Sequence, residues 1–159
     1  VPDFVALAVQ EYAHTNEHTP LALERGNEVK MLACAVDIVK KLVLERSLDW
    51  VEMFSGTGGA MRSVSQLGLS CCSFDRLNDT NEDICILVGL VWALCLVYMT
   101  KVGGVIWLAP QCSTWVMMAM GHTKRAKENH WLGDDGRRDV LEANFTSMVL
   151  SPCEFIYQT

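Results

Sequence analysis

The run Trp50–Ser63, "WVEMFSGTGGAMRS", carries a short apolar segment into a cluster of small residues and then into a helix-like stretch. That order exposes main-chain N–H groups at a helix start and lets a ligand approach the backbone closely, which is a cofactor site in outline. The spacing of Gly56, Gly58 and Gly59 is neither a Walker A loop, because no Gly-Lys-Ser/Thr ending follows, nor GxGxxG. Taken alone, the turn reads equally well as a tight connection. Asp75 adds to it. This carboxylate closes the next apolar segment about twenty residues further on, where nucleoside-cofactor folds place the acceptor for ribose hydroxyls. Its plain alternative is a solvated loop acid. Together the two features point to a nucleoside-containing ligand. Further on, Lys124, Arg125, Lys127, Arg137 and Arg138 gather five of the thirteen basic residues in one stretch. This is either a local phosphate-binding patch or a solvated loop balanced by Glu128, Asp134, Asp135 and Asp139.

The elements that must position these groups alternate. Asp3–Ser47 reads as helical, with Val29, Leu32, Val36, Val39 and Val43 at three-to-four spacing and a break at Gly26. Asp49–Phe54 is a strand, about Ala60 to Leu67 a helix stopped by Gly68, and Leu69–Asp75 a second strand. Thr80 and Asp83 suit a capping box for a long helix ending near Thr100. Lys101, Gly103 and Gly104 form a turn into a third strand, Val105–Pro110, and a basic loop leads to a helix from Arg138 to Leu150. Strands alternating with helices predict a parallel sheet flanked by helices. The expected layout is an N-terminal helical segment, 1–48, packed on an α/β core, 49–159.

The glycine turn also resembles a known family. "EMFSGTGGA" is similar to the first motif of the cytosine-5 methyltransferases, which belong to the Rossmann-like class I fold that binds S-adenosylmethionine (SAM). The resemblance implies that Phe54, Ser55, Gly56, Thr57, Gly58 and Gly59 surround the cofactor and that Asp75 holds its ribose. "WLAPQCSTW" resembles the nucleophile loop, with Cys112 on the position of the attacking thiol and Pro110 near the cofactor; Gln111 stands where the family carries proline. Cys112 is also the one cysteine in a polar strand-end loop followed by basic residues. "GHTKRAKENHWLGDDGRRDVL" is similar to the segment after the nucleophile, which implies nucleic-acid contacts from Lys124, Arg125, Arg137 and Arg138. In "SPCEFIYQT", Gln158 and Thr159 fall on the family's Glu-Asn positions, so Gln158 would bond the base but not transfer a proton as a carboxyl does. The resemblance covers roughly Asp49 to Leu150. It implies a DNA or RNA methyltransferase acting through Cys112.

Composition sets the outer bounds. With 159 residues, half of them hydrophobic, the chain has the material for one domain with a real core. A net charge of -6 excludes binding of polyanions by bulk charge, so nucleic-acid contact must be local. Seven cysteines at irregular spacing, with no CxxC pair, suit a reducing intracellular setting, nuclear or cytoplasmic, better than a disulfide framework. The histidines show no zinc spacing, and no metal is expected. The first residue is Val1, and the chain is read as a piece of something longer. Ile84–Thr100 has no formal charge over about seventeen residues, the lower edge for a membrane span. Two alternatives to an active enzyme therefore stand: a non-catalytic SAM-binding domain, and a protein anchored in a membrane by that run.

Overall fold

The computed structural model describes residues 1–110 and 112–150. Gln158, the expected base contact, and Gln111 lie outside the described residues. The described chain is α/β: helices α1 (Asp3–Thr15) and α2 (Glu28–Val39), then strand β1 (Leu48–Met53), α3 (Gly59–Ser65), β2 (Cys71–Phe74), α4 (Leu87–Met99), β3 (Thr100–Leu108), α5 (Met120–Thr123) and α6 (Arg138–Leu150). The strands form one parallel sheet in the order β2-β1-β3.

That order follows from two crossovers in opposite directions, out from β1 through α3 to β2 and back through α4 to β3. Right-handed connections put the two helices on opposite faces. The period-two alternation of β1 agrees. Val51 and Met53 are buried in the core shared with α4, while the intervening Glu52 turns to α3, where its carboxylate accepts from the Met61 N–H at 2.6 Å. A carboxylate in the first turn of a helix satisfies an otherwise orphan donor.

α4 is buried along almost its whole length, from Leu87 to Val97. It packs on β1 and β3 with one side and on α1 and α2 with another. A helix covered on several sides can be apolar all round, which explains the uncharged run. Only thirteen residues of it are helical, and no described helix is long and apolar enough to cross a membrane.

Several expectations are corrected. Helix does not continue through 20–27: Leu23 N–H donates to Cys85 O at 2.7 Å and Leu87 N–H to Leu21 O at 2.8 Å, so this segment pairs with the approach to α4. In α2 the period is right but the face is rotated. Met31, Ala35, Ile38 and Val39 are buried, whereas Val29 lies exposed in the first turn and Val43 beyond the end. The Thr80–Asp83 capping box does not form. α4 starts later, after Ile86, and Asp83 Oδ1 accepts from Cys85 N–H at 2.9 Å. Gly103 and Gly104 lie within β3 rather than in a turn before it. Leu48 pairs with Thr100 and Trp50 with Val105, so β3 spends extra residues in an irregularity there. Gly103 has φ +80°, and a Cβ on Gly104 would sit 3.1 Å from Asp49 O, so both glycines are required by that geometry.

Candidate functional site at the carboxyl ends of the strands

The strand order reverses beside β1, and open parallel sheets bind ligands in the crevice outside the carboxyl ends at such a point. Each strand delivers a residue there. Phe54 follows β1 with φ +61°, a conformation costly for an aromatic residue, and its N–H donates to Phe74 O at 2.7 Å. Its ring meets Phe74 edge-on at 6.4 Å. Asp75 follows β2. One of its oxygens accepts from Gly56 N–H at 2.7 Å and the other from Leu77 N–H at 2.8 Å, so the carboxylate is fixed while lone pairs remain for a ligand. Its own N–H donates to Glu82 at 3.0 Å. Gly56 and Gly58 hold φ +54° and +67°, the left-handed region natural to glycine.

Between these ends lies a cavity of about 320 Å³ whose wall includes Phe54 after β1, Asp75 after β2 and Ala109 after β3, with Ala143 and Thr146 of α6 across from them. The wall is acidic. Among the described residues, Asp75, Glu82, Asp83, Asp139 and Glu142 line it with one cation, Arg76. A hydrogen bond from Arg137 holds the Asp139 carboxyl below the usual carboxylate range. A second cavity of about 300 Å³ is walled by Pro110, Cys112, Trp115, Ala143, Thr146 and Ser147. Ala143 and Thr146 belong to both, so the cavities adjoin across α6. Cys112 is exposed.

The sequence-predicted residues are thus divided. Phe54 and Asp75 line the first cavity, and Pro110 and Cys112 the second. Ser55, Gly56, Thr57, Gly58 and Gly59 form no part of either wall. The Gly56 N–H is engaged by Asp75, and the Ser55 hydroxyl is buried without a hydrogen-bond partner. A Cβ at Gly56 or Gly59 would meet nothing within 4 Å, so there is open space beside the turn.

Among the expected nucleic-acid contacts, Arg125 needs correction. It is only 4% exposed. Nε donates to Thr114 O at 2.9 Å, Nη2 to Thr114 Oγ1 at 3.3 Å, and Nη1 to Trp131 O at 2.6 Å and to Asn144 Oδ1 at 2.8 Å. A guanidinium committed in this way binds no phosphate. Arg138 donates to Glu142 and, at 2.6 Å, to Leu23 O, while Arg137 donates to Asp139 at 3.0 Å and meets His122. Lys124 is exposed.

Sequence reasoning missed Glu82, Asp83, Asp139 and Glu142. The i, i+3 spacing of Asp139 and Glu142 on a helix was the one available signal, since such residues share a face. Among the described residues, no group of three His, Cys, Asp or Glu is placed to hold a metal ion. No family model, curated protein or solved structure matches the chain.

Proposed function

We propose that the first cavity binds S-adenosylmethionine and that the chain is a methyltransferase-like domain whose second cavity receives a planar substrate ring beside Cys112. The observation that carries this reading is the cavity at the strand-order reversal, walled by the residues that follow all three strands and adjoining the cysteine pocket.

The donor set fits this cofactor better than other nucleosides. Asp139 and Glu142 are paired with Arg137 and Arg138, and the remaining described carboxylates, Asp75, Glu82 and Asp83, outnumber Arg76; such a wall disfavours the phosphates of ATP or a dinucleotide and favours a phosphate-free nucleoside with a cationic sulfur. Anchored by two backbone N–H groups, Asp75 is ready to accept from a ribose hydroxyl, and Phe54 offers an apolar face. SAM supplies an electrophilic methyl group. The Cys112 sulfur would add to carbon 6 of a cytosine-like ring and raise electron density at carbon 5; transfer of the methyl would release S-adenosylhomocysteine, and water taking the carbon-5 proton as the carbon–sulfur bond breaks would restore the ring and free the cysteine. A non-catalytic binding domain is the second reading. It is favoured by the burial of Arg125, which removes one expected phosphate contact, and by the pairing of Arg137 and Arg138 with Asp139 and Glu142 at the surface, which offsets their charge.

Two experiments test these readings. Isothermal titration of folded protein with SAM should give saturable heat, and absence of binding sinks the proposal. A 5-fluorocytosine oligonucleotide should form a covalent adduct that Cys112→Ser abolishes; SAM binding without an adduct favours the non-catalytic domain.

A further inference from the structure

Arg125 is the most deeply buried cation among the described residues, and the chemistry above does not use it. Its fork joins three segments. It holds the carbonyl and hydroxyl of Thr114, the carbonyls of Trp131 and Leu132, and the side chain of Asn144 on α6. The first of these lies in the turn closed by Trp115 N–H donating to Cys112 O at 2.9 Å. The last lies on the helix that supplies Ala143, Thr146 and Ser147 to the second cavity. One guanidinium therefore sets the separation of that cavity's two walls, the Cys112–Trp115 turn and α6.

The same group lies over Trp115, its Cζ 3.5 Å from the ring centroid. Covered on that face, Trp115 is still 39% exposed and lines the second cavity. Space for the arginine comes from Gly133, where a Cβ would be 2.9 Å from Arg125 Cγ. Lysine cannot replace this arrangement, because a point ammonium provides neither the planar fork nor the stacking plane.

We propose that Trp115 is the stacking wall for a planar heteroaromatic ring beside Cys112, and that Arg125 is the positioning residue that holds it there. This rests on the reading of the second cavity as a substrate site but not on SAM occupying the first. A guanidinium behind one ring face leaves the other free for a base, and base–aromatic stacking tolerates any planar ring.

Cytidine is the probe, titrated by ligand-observed NMR against the wild-type chain and the variants W115A, W115F and R125K, with SAM titrated separately into each. Wild type should bind cytidine. W115A should weaken it about tenfold or more, W115F should retain most of the affinity, and R125K should lose affinity comparably to W115A. SAM affinity should be the same in wild type, W115A and W115F, whereas Arg125 holds Thr114, which also lines the first cavity, so R125K is judged on cytidine alone. Wild-type cytidine binding in W115A or in R125K overturns the proposal, as does a loss in W115F equal to that in W115A, or no binding to wild type. In the W115A background R125K should weaken cytidine binding no further; a further loss of similar size reduces Arg125 to a general prop and overturns its positioning role. If R125K does not fold, the two Trp115 variants still decide the stacking role. Trp115-dependent cytidine binding without SAM binding refutes the methyltransferase reading and leaves this one standing.

Discussion

Replacing Asp75 by alanine perturbs the fold and the proposed ligand site together, and the two effects can be separated. In the native chain the carboxylate accepts from Gly56 N–H at 2.7 Å in a partly buried setting and from Leu77 N–H at 2.8 Å in an exposed one. A hydrogen bond to a charged group contributes about 1.5–3 kcal/mol when shielded, and water replaces an exposed one at lower cost. Asp75→Ala should thus lose about 3 kcal/mol. For a chain of this size that lowers Tm by about 6–12 °C, well within a total stability on the order of 10 kcal/mol. Asp75→Asn keeps one acceptor oxygen and sets an amide donor against the other N–H, so about half the loss is expected. Calorimetric melts measure both variants. Titration with SAM, below the lower Tm, measures the second effect, about 10- to 100-fold weaker binding for loss of a charged acceptor. An unchanged Tm refutes the two backbone bonds. A lowered Tm with undiminished SAM affinity makes Asp75 a loop staple only and refutes its role toward a ribose.

Three further outcomes are expected. Asp49 accepts from Lys101 at 2.8 Å and from Ser70 N–H at 2.9 Å, and these bonds, the lysine's first, hold its carboxyl below the usual range. Its contribution is therefore present above the unfolded pKa and lost as pH falls through the folded one; in urea melts Asp49→Asn should be less stable than wild type at neutral pH and converge with it in acid, and a constant gap contradicts this. Burial pushes the Cys95 thiol up to about 12, and burial also raises Cys85, while Cys112 is exposed. With the Cys95 thiol held protonated at neutral pH, mass-mapped alkylation should reach Cys112 before Cys95, and Cys95 reacting as fast refutes the packing of α4. Gly89→Ala ought to gain about 1 kcal/mol by helix propensity alone. Its Cβ would stand 2.1 Å from Asp83 O and 2.6 Å from Asn81 O, so a net loss of about 3 kcal/mol is expected instead, read as a lower Tm.

The α/β order was legible because period and punctuation agree: β1, β2 and α6 fall where the apolar runs and glycines predict them. Local rules failed where a distant segment competes for the same groups. Residues 20–27 have helical composition, but their backbone is taken by the approach to α4. Gly103 and Gly104 look like a turn, yet they form an irregularity in a strand whose register β1 sets. The site was half legible. Phe54, Asp75, Pro110 and Cys112 reach cavity walls because strand ends converge in any parallel sheet. Glu82 meets Asp75 within one loop, whereas Asp139 and Glu142, though spaced to share a helix face, reach Asp75 only through tertiary packing. Arg125 was misassigned for the same reason. Among lysines and arginines in a polar run, nothing local distinguishes a solvated cation from one enclosed by three carbonyls and an indole.

The enclosure of α4 has a consequence for the order in which the chain is made. α1 and α2 leave the ribosome before α4 and wait with their apolar faces uncovered until it arrives. A chain begun at residue 49 would instead release α4 with no cover on that side, a sticky helix for chaperones and proteases to find. Cover from α1 and α2 thus keeps the apolar length of α4 out of water once the fold is complete.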